Sequence, residues 1–238
     1  MGEEKLPFVE DGIGEVIARG LDGASSWITP GSRIRVVTGA IDGVHVRVEY
    51  KFGNRSRLWI VTSKLGKGAP PLLVEAWKRR VGEGGVVARG GVTPVATGDE
   101  AFDEEWLVEG VPAEAARAIF DAETREAIGR VGEFVLGVED GVVTASVNGD
   151  GASGLAAIER GLDVVLVVRR RVAGLPKPTG ADLARARAEV EALKRRREAL
   201  WARLTLPQRI VTATAFTILV LGIAAGVFYG CGLDALTR

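Results

Sequence analysis

From Ile210 to Leu233 the chain runs for twenty-four residues without a charged side chain. Nothing else in the sequence constrains the fold as strongly. As a helix rising about 1.5 Å per residue the run would reach about 36 Å, more than the roughly 30 Å of hydrocarbon in a bilayer. Thr212, Thr214 and Thr217 are compatible with such a span, because a threonine hydroxyl can bond back to the preceding turn. Pro207 stands where a helix start tolerates a missing N–H, and Trp201 and Tyr229 stand near the two ends, where amphipathic rings favour the interface. Helices buried in globular domains rarely go this far without a charge. The sequence therefore predicts a transmembrane helix over 207–233, with a short tail at 234–238.

Charge sets its orientation. Lys194, Arg195, Arg196, Arg197, Arg203 and Arg209 precede the run, and Arg238 alone follows it. The excess of Lys and Arg predicts that the N-terminal side faces the cytoplasm of a cell (inner) membrane. The N-terminal Met-Gly-Glu-Glu-Lys-Leu-Pro has neither the basic nor the apolar region of a secretory signal, and Leu6 stands where N-myristoylation wants Ser or Thr. The expectation is a C-tail-anchored, single-pass protein inserted after translation. Within the span, Gly222, Gly226 and Gly230 lie four apart on one helix face, where a second backbone can approach closely. Cys231, near the far end, has three readings: an interchain disulfide, an acylation site or an inert small residue.

The segment before the run, 181–206, reads as a juxtamembrane helix, with Asp182 as its N-cap and Ala, Leu, Glu and Arg dominating its composition. Leu183, Ala186, Val190, Leu193, Arg197, Leu200 and Leu204 step by threes and fours, a heptad seam broken at Arg197. The favoured reading pairs this seam with its counterpart in a homodimer stalk. The alternatives are packing on the head, or lying on the bilayer with the Arg cluster among anionic headgroups, where each base contributes about 1 kcal/mol. Upstream, residues 173–180 form a Pro/Gly linker and a natural domain boundary.

Residues 1–172 make the head, expected to be a soluble α+β domain. Alternating apolar and polar residues predict strands at Arg33–Gly39, Val44–Phe52 and Ser56–Lys64, joined by turns at "AIDGVH" and "FGNRS". "PPLLVEAWKRRV" is ambiguous between helix and strand, and a break near 82–91 would divide the head in two. Beyond it come a strand at Phe102–Gly110, a helix at Pro112–Val131, a hairpin at Phe134–Val147 turning on Glu139-Asp140-Gly141, a short helix at Ala152–Arg160, and a strand at Asp163–Arg171. That last strand, apolar on both faces, reads as central.

The passage Thr97–Gly129, with its Gly-Asp-x-x-Phe-Asp entry followed by a helical stretch carrying Ala-Arg and Thr-Arg-Glu, resembles uncharacterised bacterial membrane-associated proteins of unknown function. The resemblance implies a membrane association and brings no catalytic residues.

Composition narrows the chemistry. Thirty-one basic and thirty-one acidic residues give zero formal charge, which argues against a nucleic-acid binder. One cysteine and one histidine allow neither an internal disulfide nor a Cys/His zinc site. His45 sits between Val44 and Val46 in a strand, with no nucleophile elbow to accompany it. The acidic run Asp99–Glu105 has carboxylates for Ca²⁺ or Mg²⁺ but not the spacing of a calcium loop, and alternation along a strand would scatter them. The loop Val147–Gly154 has glycines for phosphate but matches neither phosphate-binding fingerprint, and Asp150 or Ser153 as a helix cap explains it equally well. The sequence thus predicts no catalytic, cofactor or metal residues. It predicts a non-enzymatic binding or scaffolding head, held at the membrane for an unidentified protein partner. The alternative is a membrane-tethered sensor or enzyme using residues 99–105 or 147–154.

Overall fold

Alternation of period two builds the first four strands, which pair in the order in which they are made. The computed structural model describes residues 16–29, 34–51, 58–79, 94–132, 134–148 and 151–203. In it β1 (Asp22–Ile28), β2 (Ile34–Ile41), β3 (Val44–Lys51) and β4 (Leu58–Lys64) form an antiparallel meander. The β2–β3 turn closes on Asp42 and Gly43, both left-handed at φ 49° and 74°, and Asp140 and Gly141 repeat the device at 48° and 72° in the second hairpin. Two-residue hairpins need this conformation because its twist matches that of the strands, and Asp-Gly adopts it at little strain. "FGNRS" lies outside the described residues.

The second half adds β5 (Leu73–Lys78), β6 (Trp106–Val111), β7 (Phe134–Glu139) and β8 (Val142–Asn148). All eight strands share one antiparallel sheet in the order β1-β2-β3-β4-β8-β7-β5-β6. The ambiguous "PPLLVEAWKRRV" is thus a strand over its centre. The break expected near 82–91 lies outside the described residues, and the sheet unites what stands on either side of it. The α+β architecture expected of the head is what is observed.

Three sequence expectations change. Phe102–Glu105 is not strand: α1 (Glu100–Glu105) precedes β6, because the Asp99 carboxylate accepts from Phe102 N at 3.1 Å and starts a helix there. Pro112–Val131 is not one helix but two, α2 (Ala113–Ile119) and α3 (Ala122–Gly129). Asp121 caps the second by accepting from Thr124 N at 3.0 Å, and the break buries Ile119, Phe120 and Ile128 together. Asp163–Arg171 is not a central strand but the second half of α4 (Gly151–Gly174), which also absorbs the short helix expected at Ala152–Arg160. The β-branched run Val164–Val168 has strand composition. The decisive pattern is longer: Ala157, Ile158, Val164, Val165, Val168 and Val172 are all buried, and their spacing is that of one helix face. The strand β1 was not anticipated, its Asp-Gly-Ala-Ser-Ser start having little alternation.

The core lies between α4 and one face of the sheet. Val37, Val48, Val61, Ala145, Leu136 and Ala76 carry it from strand to strand, each essentially inaccessible. Gly161 lets α4 sit down on β8 and β4: a methyl group there would stand 2.8 Å from Val147 Cγ2 and 3.5 Å from Val61 Cγ2. At one end Trp106 meets Phe102 and Phe134, with ring centroids 6.0 and 5.2 Å apart, and so joins α1 to β6 and β7.

Strand alternation gives β5 and β6 a second buried face. Val74 and Val108 point into the main core, whereas Leu73 forms a separate cluster with Val190 and Leu193, against which Val111 packs. Val190 and Leu193 belong to α5 (Gly180–Arg203). Three of the heptad-seam residues, Ala186, Val190 and Leu193, are therefore buried within the chain itself, as in the reading that packs this helix on the head. Asp182 is not its N-cap but lies in the first turn, where it pairs with Arg185 at 3.2 Å.

The chain divides into two units, Met1–Leu193 and Lys194–Arg238. Among the described residues no helix is long and apolar enough to cross a membrane. The run Ile210–Leu233, with Gly222, Gly226, Gly230 and Cys231, lies outside the described residues.

Gly161→Leu should lower stability by about 1–3 kcal/mol, because a side chain there forces α4 off Val147. The denaturant midpoint followed by tryptophan fluorescence measures it, and an unchanged midpoint would mean that α4 is not seated as described. Leu193→Ala should cost about 2–3 kcal/mol and raise amide exchange along β5 before β3, since Leu73 loses its cover.

Candidate functional site

The fold uses the acidic run as structural fastening. Asp103 accepts from Thr97 N at 3.0 and 3.1 Å and from Thr97 Oγ1 at 2.8 Å, which closes the loop ahead of α1. Asp99, besides capping α1, meets Arg125 Nε at 3.2 Å, and Arg125 also donates to the Phe120 carbonyl at 2.7 Å. Glu105 pairs with Lys78 at 2.6 Å. The carboxylates thus point at different partners rather than at one point. Among the described residues no group of three or more His, Cys, Asp or Glu side chains is placed to hold a metal.

The other two segments singled out in the sequence separate in the same way. His45 is exposed on β3, and what the fold takes from it is its carbonyl, which accepts from Ser63 Oγ at 2.7 Å. Val147 at the head of the glycine-rich segment is a core residue beneath Gly161, and Gly151 already begins α4; residues 149–150 lie outside the described residues.

The structure brings together a different set. Three connections meet at one end of the sheet: the loop from β4 to β5, the entry to α2, and the linker from α4 to α5. Between them lies a groove of about 780 Å³. Its walls carry Pro70 and Pro71 from the first, Pro112 from the second, and Pro176 and Pro178 from the third. Five of the chain's nine prolines thus converge on one recess. Proline fixes φ and has no N–H, so these walls are stiff and offer few main-chain donors. Leu72, Leu175, Ala115, Ala118 and Ala186 supply small apolar surfaces between them.

Hydrogen bonds and ion pairs flank the groove. The first connection is held where Leu65 N donates to the Gly141 carbonyl at 2.6 Å, and the third where Leu175 N donates to the Val172 carbonyl at 3.2 Å. Arg171, at the end of α4, pairs with Asp121 at 2.7 Å and also with Glu123, which ties α4 to α3. The size of the groove is that of ordinary ligand sites.

Charge is distributed unevenly along it. Asp182 and Arg185 neutralise each other on one rim. Glu114 from α2 and Glu189 from α5 line the groove, and Lys177 stands in the linker. A second recess of about 190 Å³ adjoins, sharing Pro70, Leu175 and Lys177 with the first, and the glycine-flanked Lys67 lines it.

Neither His45 nor residues 99–105 or 147–154 line this groove. The signal that could have found it is the concentration of prolines in "GAPP", "VPAEA" and "LPKP", yet only the folded topology shows that the three are neighbours.

No known protein family matches the chain, and no curated protein matches it in sequence. Among solved structures, the crystal structure of the mycobacterial trehalose monomycolate transport factor A, TtfA, is similar with a TM-score of 0.46 and 13% sequence identity, covering 72% of this chain and 97% of that one. So slight a likeness says nothing of activity.

Asp103→Asn should destabilise the fold by about 1–3 kcal/mol, because a charge-assisted acceptor serving the main chain and hydroxyl of Thr97 becomes a neutral amide. Thermal or denaturant unfolding measures it. A neutral result would show that the acidic run is free to do something other than hold the loop.

Proposed function

We propose that the chain is a membrane-held binding protein, with its head on the cytoplasmic side of the inner membrane, engaging a polypeptide partner through the proline-walled groove. The observation that carries the binding reading is the groove itself, a recess of about 780 Å³ assembled from three separate connections. Surface loops need no such construction to join strands and helices. Proline walls suit an extended chain, because recognition rests on shape and side chains rather than on adding a strand through main-chain donors.

Membrane attachment is supported by the charge-free run Ile210–Leu233 and by the basic residues ahead of it. In this reading the run crosses the bilayer once. Ala186, Val190 and Leu193 of the α5 seam pack within the chain, and self-association in this reading would use the four-residue spacing of Gly222, Gly226 and Gly230.

Alkaline carbonate extraction tests the attachment. The full chain should stay in the membrane pellet, and deletion of residues 207–238 should release it. Release of the full chain would end the anchored reading. Protease added to inside-out vesicles should digest the head, while right-side-out vesicles protect it.

A further inference from the structure

We propose that the occupant of this groove is an extended polypeptide segment that turns an acidic group toward Lys67 and Lys177 and a basic side chain, about four residues away, toward Glu114 and Glu189. This rests on the reading of the groove as the binding site and names the chemistry of its partner.

Charge complementarity carries it. With Asp182 and Arg185 paired to each other, four charged groups remain along the two recesses: Lys67, Lys177, Glu114 and Glu189. None of the four has an ion pair among the described residues. They are also sorted by position. Both lysines border the smaller recess, and both glutamates border the larger one alone. Lys67 lines the smaller recess alone, Lys177 lines both and the two glutamates line the larger, so the sign of the charge changes along the groove and favours an occupant with its charges in the opposite order.

Helix geometry sets the spacing. Lys177 lies just ahead of α5, and Glu189 lies nine residues beyond its first residue, Gly180. At about 1.5 Å per residue that is about 14 Å along the helix. An extended chain covers the same distance in about four residues at roughly 3.3 Å each.

Wall chemistry sets the conformation. Alanines at 115, 118 and 186 leave a shallow floor, and among the described residues no aromatic side chain lines either recess to grip an amphipathic helix. The proline positions have no N–H to donate, so recognition rests on shape and side chains. A chain with small or β-branched residues between its two charges fits these conditions.

The test uses the full chain in detergent micelles and fluorescence anisotropy of a labelled pentapeptide, Glu-Ser-Val-Thr-Arg, with capped ends. Three further probes replace the terminal pair by two serines, two glutamates or two arginines. The dipolar probe should bind about tenfold more tightly than the serine probe, and added salt should narrow the gap. Glu114→Lys with Glu189→Lys should move the preference to the two-glutamate probe. Lys67→Glu with Lys177→Glu should move it to the two-arginine probe. Such exchanges of preference do not follow from a merely damaged fold. Glu126→Lys, at an exposed residue outside the groove, should change nothing. Ala118→Trp, which fills the groove from an exposed helix position, should abolish binding of every probe.

If dipolar and serine probes bind equally and Ala118→Trp still abolishes binding, the charge inference is overturned and the groove stands. If the charge exchanges leave the ranking unaltered, the inference is likewise overturned. If no probe binds, the groove falls as a polypeptide site and the inference falls with it. Membrane attachment is decided separately by carbonate extraction.

Discussion

The pairing of β4 with β8 holds everything else in place. Seven register pairs, from Leu58 with Asn148 to Lys64 with Val142, join a meander made early in the chain to a hairpin made much later. Without them there would be two small sheets, each with an extra edge and half a core. With them there is one eight-stranded sheet, and α4 can lie across the join, touching Val147 on one strand and Val61 on the other. The seat of α4 in turn fixes where the linker begins, where α5 starts, and so where the proline walls meet. A contact between distant segments thus sets the geometry of a groove to which neither strand contributes a residue.

Local chemistry made the hairpins legible. Asp42-Gly43 and Asp140-Gly141 state their turn type in two residues, and the flanking alternation states which face is buried. What misled was composition read without enough context. The valines of α4 look like a strand over nine residues and like a helix over twenty, because β-branched side chains favour strands only when the wider period agrees. The acidic start of "FDEEWLVEG" hid a helix because the deciding residue, Asp99, lies outside the alternating stretch. The division of the Pro112–Val131 segment turned on the cap at Asp121 and the burial of Phe120 beside it.

The groove was illegible for a different reason. Sequence motifs announce chemistry when reactive residues recur at short spacing, and this site has none of that kind. Prolines and alanines mark punctuation and packing, and Lys67, Glu114, Lys177 and Glu189 each read as an ordinary surface charge. Their meaning is positional, and position comes from topology. The carboxylates that did stand out, Asp99, Asp103 and Glu105, are committed to a cap, a loop and an ion pair.

The two long helices grip opposite faces of the sheet with unequal strength. α4 is held by a ladder of buried side chains from Ala157 to Val172, whereas the described hold of α5 on the other face rests on Ala186, Val190 and Leu193. A load applied along α5 therefore reaches the weaker hold first. Under such a load the contacts of Ala186, Val190 and Leu193 would give way before the longer buried ladder of α4. Because α5 contributes Asp182, Arg185, Ala186 and Glu189 to the groove, loss of that hold would open the groove while the strand pairing of the sheet is left in place.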